Sequence, residues 1–334
     1  MTDVAAMSTS VTAGHAPDKG DLWRPSAPCS PRTCVDRAES ARAIPLAAVR
    51  IVAVLFLLLL GFAAMPLGGR VPAGLVRSWC RWVVRTAGVR VRVDGGAAPD
   101  GGVLLVANHV SWLDIPLLAA VRPARMLAKS EIRDWPVAGW LTARSGALFI
   151  DRDRIRALPE MVARIAGALR AGEAVAVFPE GSTWCGRANG QFRRAAFQAA
   201  LDAGAPVQPV RLNYWSTAAA FVGDDSLLAS VWRVARAREL VAEVEVLEPI
   251  TPDGRADRRS LARAAEMAVL VGVEEAQEAR VSGPPRVLPL PVPAVPVSAA
   301  GSGHAAPAVP VPAPGSGHPT PAVPRTARPG RVTA

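Results

Sequence analysis

The sequence predicts an α/β protein: a mixed, largely parallel sheet covered by helices, with an N-terminal membrane-embedded helical segment. Three observations carry that expectation. Short apolar runs alternate with longer helical patterns between residues 88 and 280, as in sheets whose strands are joined by helices. "IVAVLFLLLLGFAAMPL", residues 51–67, is an unbroken apolar run bounded by Arg50 and Arg70. Polar residues gather where the apolar runs stop, the usual place for a site in a sheet of this kind.

In chain order, the first 43 residues are mixed in composition and predicted to be disordered. The run at 51–67 begins too far from the N-terminus for a secretory signal peptide. Its 17 residues are at the short limit for crossing a bilayer, where about 20 are usual. Arginines flank it on both sides, so the positive-inside rule assigns no orientation. In "GLVRSWCRWVVRTAG", Arg77, Arg81 and Arg85 recur every four residues, a cationic stripe along a helix. Leu75, Trp79, Trp82 and Val83 supply apolar surface beside it, which suits a helix lying among lipid headgroups. A core-packing helix with a solvated arginine face fits the same pattern. Residues 44–87 thus read as a membrane anchor with an interfacial helix.

Strands are predicted at Val89–Val93, Val103–Ala107, Ala147–Asp151, Ala174–Phe178, Val207–Leu212 and Val241–Leu247. Helices are predicted at Trp112–Ala120, Pro136–Arg144, Arg154–Ala171, Gln191–Ala203 and Ser260–Glu278. The tail from 281 to 334 holds 14 of the 31 prolines, four arginines and no acidic residue. It lacks the large side chains that would offset the entropy of ordering, so it reads as a disordered Pro/Ala-rich segment.

The net charge is +10, from 36 arginines and only two lysines, Lys19 and Lys129. A basic surface suits nucleic acid or anionic lipid equally, but no nucleic-acid-binding motif accompanies the charge. The four cysteines contain no C-x-x-C pair and read as reduced thiols without a metal.

Of four histidines, His15, His304 and His318 lie in the loose ends, which leaves His109 as the core's imidazole. It follows the strand Val103–Ala107 in "LLVANHVSWLDIPLL". Next, "SWLD" reads as a capping box, with Ser111 as N-cap and Asp114 in the first helical turn. A turn before the N-cap lets His109 fold back toward the Asp114 carboxylate. An Asp accepting from one ring nitrogen fixes the tautomer and frees the other as a base. The same residues also fit a plain helix cap beside a turn histidine. "AVAVFPEGSTWCGR" stops a buried strand at Pro179 and places Glu180, Gly181, Ser182 and Thr183 in the exit turn. Gly181 allows close backbone approach there, and the two hydroxyls supply donors. "GALFIDRDR" leaves Asp151 and Arg152 at a strand end, and "MLAKSEI" upstream holds Lys129 and Glu131.

Taken in order, these pieces resemble the glycerolipid acyltransferases, specifically the 1-acylglycerol-3-phosphate (lysophosphatidate) acyltransferases. Asn108-His109 with Asp114 matches the family's His-x4-Asp block, "GALFIDR" the second and "FPEGST" the third, while "APVQPV" resembles the fourth. The resemblance covers roughly residues 75–245, within a domain spanning 88–280. It implies a fatty acyl group moved from acyl-CoA or acyl carrier protein to the free hydroxyl of 1-acylglycerol-3-phosphate. His109 would be general base and Asp114 its partner. Glu180, Gly181, Ser182 and Thr183 would place the acceptor, and Arg152 with Lys129 would bind its anionic head. No cofactor or metal is implied, nor any nucleic-acid partner; the expected setting is the cell membrane, with the site facing the cytoplasm. One departure stands out. The third block commonly ends Thr-Arg, the Arg meeting the acceptor phosphate, whereas Thr183 occupies the arginine's position here. Thr carries neither the charge nor the bidentate fork. Acyltransferases of lyso-ornithine lipid resemble this variant and form the alternative within enzymes. A catalytically silent membrane-binding protein is the alternative from another class.

Overall fold

In the computed structural model, the described residues are 27–35, 43–64, 66–67, 71–130, 133, 144, 146–151 and 154–281. Seven strands form one sheet: β1 (Val89–Gly95), β2 (Val103–Ala107), β3 (Arg125–Lys129), β4 (Leu148–Ile150), β5 (Ala174–Val177), β6 (Val207–Tyr214) and β7 (Leu240–Val246). Their spatial order is β1-β7-β6-β2-β5-β3-β4. Every pairing is parallel except β6 with β7. Strands β2 to β6 therefore point one way and β7 and β1 the other, which is the mixed, largely parallel sheet expected.

The helices are α1 (Ile44–Ala64), α2 (Ala73–Thr86), α3 (Asp114–Val121), α4 (Leu158–Arg170), α5 (Ala195–Ala203), α6 (Leu227–Arg236) and α7 (Arg258–Val281). Alternate residues of β2 enter different cores. Val103, Leu105 and Ala107 pack with Val84 of α2, Leu117 of α3 and Val234 of α6. Leu104 and Val106 pack with Ile165 of α4, Phe197 of α5 and Ala265 of α7. All five β2 residues are buried, as expected of a central parallel strand covered on both faces.

Two elements differ from the sequence expectation. Strand β3 has Arg125 and Lys129 at its ends and only three apolar residues between, too short a run to stand out. Pairing with both β5 and β4 makes it a strand. Helix α6 is amphipathic, and Arg233 holds its inner face. That guanidinium donates to the Ala218 and Ala220 carbonyls at 3.0 and 2.6 Å and pairs with the buried Asp225 at 2.7 Å. Elsewhere the boundaries move by a few residues: α5 begins at Ala195 rather than Gln191, and α3 at Asp114 rather than Trp112. The helix expected over Pro136–Arg144 lies, apart from Arg144, outside the described residues, as does the Pro/Ala-rich tail beyond Val281.

The apolar run belongs to a longer helix than its composition marks. α1 has 21 residues and a mean hydropathy of 2.7, long and apolar enough to cross a membrane. Leu55, Phe56 and Leu59 are exposed, and Ala47 is its buried residue. One side is anchored to the domain. Arg50 Nη1 donates to the carbonyls of Ala235 and Ala237 at 2.8 and 2.7 Å, satisfying acceptors at the end of α6. Trp79 of α2 donates to the Leu57 carbonyl at 3.0 Å, its ring lying so close to Gly61 that a Cβ there would stand 2.5 Å away. On α2 the three arginines of the stripe are exposed, as are Leu75 and Trp82, while Val83 and Val84 are buried.

Candidate active site

Five strands run toward one edge of the sheet, and the predicted residues emerge there. β2 ends at Ala107, and Asn108 closes the opening between it and β6. Its Nδ2 donates to the Leu212 carbonyl and its Oδ1 accepts from Leu212 N, both at 2.8 Å. That side chain acts as an extra rung of the ladder, so the chain can leave the strand at His109 without orphaning Leu212.

His109 then folds back as the spacing requires. Its Nδ1 lies 2.8 Å from Asp114 Oδ2. The same oxygen accepts from Val110 N at 2.7 Å and Ser111 N at 2.9 Å, while Oδ1 accepts from the Tyr214 hydroxyl at 2.5 Å. Four donors thus converge on a carboxylate with no solvent exposure, which offsets the cost of burying its charge. The capping box expected at Ser111 does not form: the residue before α3 is Leu113, without a side-chain cap, and Ser111 Oγ accepts from Leu113 N at 3.3 Å in the turn that precedes the helix. The turn before α3 and the contact to His109 use the same aspartate. Burial next to Asp114 pushes the Tyr214 hydroxyl well above its ordinary range, so it stays a neutral donor.

Glu180 grips His109 from the other side. After β5, Oε2 accepts the His109 backbone N–H at 2.6 Å and Oε1 accepts Gly190 N at 2.8 Å. Burial pushes this carboxyl up to about 8, against the pull of its two N–H donors. The Phe178 ring stacks on the imidazole, centroids 4.0 Å apart and planes 10° from parallel. Trp184 N donates to the His109 carbonyl at 2.7 Å. Main chain, ring face and Nδ1 are all held, while the side chain remains 20% exposed. Among the described residues Nε2 has no hydrogen-bond partner. An imidazole with Nδ1–H given to a carboxylate and Nε2 open is arranged to accept a proton.

The other predicted residues are placed less tightly. Gly181 follows Glu180 with φ +76°, a left-handed turn that favours glycine. Ser182 and Thr183 are half-buried beyond it. Lys129 ends β3 on the same sheet edge, exposed, with no hydrogen bond to the His109–Asp114–Glu180 cluster among the described residues. Arg152 lies outside the described residues. Sequence reasoning passed over Tyr214, Phe178, Gly190 and Trp184. One signal was available: Tyr214 is the chain's single tyrosine, and it ends a strand.

A family model described as Acyltransferase matches residues 89–213, from β1 through all but the last residue of β6. Among characterised relatives, the lyso-ornithine lipid O-acyltransferase of Pseudomonas aeruginosa is 41% identical over 58% of this chain and 76% of its own length. A 1-acyl-sn-glycerol-3-phosphate acyltransferase of Neisseria gonorrhoeae is 38% identical over 45% of this chain and 62% of its own. The crystal structure of the Thermotoga maritima 1-acyl-sn-glycerophosphate acyltransferase shares the fold, with a TM-score of 0.55 at 22% identity. That match covers 71% of this chain and 96% of the Thermotoga one. The protein is an acyltransferase. It belongs to the glycerolipid acyltransferase family that holds the 1-acyl-sn-glycerol-3-phosphate and lyso-ornithine lipid enzymes.

Proposed function

We propose that the protein transfers a fatty acyl group from a thioester donor, acyl-CoA or acyl carrier protein, to the free hydroxyl of a lysolipid, with His109 as general base. The carrying observation is the 2.8 Å contact between His109 Nδ1 and Asp114, with Nε2 left open. In this reading Nε2 takes the hydroxyl proton as the oxygen attacks the thioester carbonyl. The carbon–sulfur bond then breaks, and the thiolate leaves with the proton returned to it from the imidazolium. Asp114 orients the ring and balances its positive charge. Glu180 is a positioning residue that fixes the backbone of His109. Gly181, Ser182 and Thr183 face the acceptor, and Lys129 and Arg152 serve an anionic head. α1 and the exposed arginines, Leu75 and Trp82 of α2 support a membrane-bound enzyme; a site facing the cytoplasm remains part of the proposal.

Between the two acceptors, lyso-ornithine lipid is favoured. Thr183 stands where a phosphate-binding arginine is common, and its neighbour Trp184 is committed to packing, its indole lying against Gly190. The 41% identity to the Pseudomonas enzyme supports the same choice. The 1-acylglycerol-3-phosphate reading retains the support of the Neisseria relative. The test is to incubate the purified full chain with labelled acyl-CoA and both acceptors in parallel, then identify the lipid product. Acylated ornithine lipid is expected in excess. Labelled phosphatidic acid alone would reverse the choice of acceptor, and no acylated product from either would overturn the reading.

A further inference from the structure

The sequence separates Cys29, Cys34 and Cys185 by up to 156 positions and reads them as unrelated reduced thiols. The structure gathers them. Their three Sγ atoms all lie within 4.8 Å of one another, while Cys80 is buried elsewhere, in α2. Cys29 precedes and Cys34 ends a single helical turn, Pro31–Cys34, in which Cys34 N donates to the Ser30 carbonyl at 3.0 Å. That turn folds the i and i+5 thiols toward the same point. Cys185 comes from the loop that carries Trp184 and Gly190 around the active site.

We infer that Cys29, Cys34 and Cys185 form a three-thiolate site for one thiophilic metal ion of the zinc class. Zinc–sulfur bonds of about 2.3 Å in tetrahedral geometry put sulfurs about 3.8 Å apart. The observed spacing needs only a small contraction, within reach of side-chain rotation. Cys29 and Cys185 are each 7% exposed and Cys34 is half-buried, so the fourth coordination position opens on the Cys34 side, where water completes the shell. Thr33 Oγ1 lies 3.5 Å from Cys34 Sγ, an outer-shell partner of the kind that steadies a thiolate ligand. The segment is also fitted closely: a Cβ on Gly223 would stand 2.7 Å from the Cys29 carbonyl oxygen. A disulfide would use two of these thiols and leave the third without a purpose, whereas one metal ion uses all three. On binding, each thiol releases its proton to solvent.

The consequence is a cross-link between two distant parts of the chain. The 27–35 segment, which leads toward α1, becomes tied to the loop whose Trp184 N–H holds the His109 carbonyl. This inference does not depend on the acceptor or on acyl transfer. Full-length protein, purified under reducing conditions without chelator, should carry about one zinc per chain by elemental analysis. After chelation, cobalt should bind with thiolate-to-cobalt charge-transfer absorption and protect Cys34 from alkylation. Cys80→Ser should keep the metal and Cys185→Ser should lose it. Should Cys185→Ser not fold, the cobalt titration and Cys34 protection in wild type decide alone. A wild-type chain that neither carries zinc nor takes up cobalt overturns the site. So does a disulfide among the three that reductant opens without metal uptake.

Discussion

Asp114→Asn separates the charge of the dyad from its geometry. The aspartate accepts three donors on Oδ2 and the Tyr214 hydroxyl on Oδ1. An asparagine with its carbonyl at the Oδ2 position keeps the first three. Its amide then faces Tyr214, whose hydroxyl can turn to accept instead of donate. Packing and the His109 tautomer are therefore expected to survive, with a melting temperature within a few degrees of wild type. What is lost is the negative charge beside the imidazolium that forms as the acceptor is deprotonated. Two unit charges about 4 Å apart interact by about 4 kcal/mol at an effective dielectric constant of 20. At about 1.4 kcal/mol per decade, kcat should fall roughly a thousandfold. KM for the acceptor should change little, because the charge pair exists only after proton transfer. Continuous thiol release from acyl-CoA, measured with saturating acceptor, reads the effect. A folded Asp114→Asn protein with kcat within tenfold of wild type would refute the electrostatic role, and a collapse of the melting temperature would refute the hydroxyl reversal.

Tyr214→Phe removes one charge-assisted bond to the same buried carboxylate, so denaturant unfolding should show a loss of about 1.5–3 kcal/mol. His109→Ala should abolish transfer in a chain that still folds, checked by product formation alongside circular dichroism. Glu180 titrates near 8 when folded against 4.5 in the open chain. Its contribution to stability is therefore present in full below about pH 4.5 and lost as pH rises toward 8. Melting temperatures at pH 5 and pH 8 should differ less in Glu180→Gln than in wild type, and equal differences would contradict the assignment. Thr183→Arg should raise use of 1-acylglycerol-3-phosphate relative to lyso-ornithine lipid, measured as the ratio of kcat/KM values, and an unchanged ratio would remove position 183 from acceptor choice.

How much of this was legible follows from the kind of signal each part leaves. His109 and Asp114 could be paired because the interaction is local: a strand end, a turn and a helix start fix it within six residues. The parallel sheet was legible because central strands are apolar throughout and lie between helices. β3 was not, because a five-residue strand with basic ends owes its existence to neighbours on both sides. The Glu180 clamp on His109 N–H spans 71 positions and the Tyr214 bond to Asp114 spans 100, and neither has a periodicity to betray it. The three cysteines fail the same test, since C-x4-C with a distant third matches no fixed ligand spacing. At α1 the apolar run marks only residues 51–67, while the helix begins at Ile44, the start of the anchor region expected over 44–87.

The two buried carboxylates divide one task between them. A catalytic imidazole on a loop must be fixed at its ring and at its backbone, or it explores rotamers that cannot meet the acceptor hydroxyl. Asp114 fixes the ring through Nδ1, and Glu180 fixes the main chain through the N–H of the same residue. Each also anchors itself to its own surroundings, Asp114 to the start of α3 and to β6, Glu180 to Gly190 in the loop after β5. The histidine is thereby referenced to three neighbouring strands, β5, β2 and β6, instead of to its own loop. Burial of Glu180 is what chiefly pushes its proton affinity up, and the nearby Asp114 carboxylate adds to the rise. Four donors are aimed at Asp114, twice the number at Glu180. In the proposed mechanism that difference in donor count suits Asp114 to charge balance and Glu180 to position.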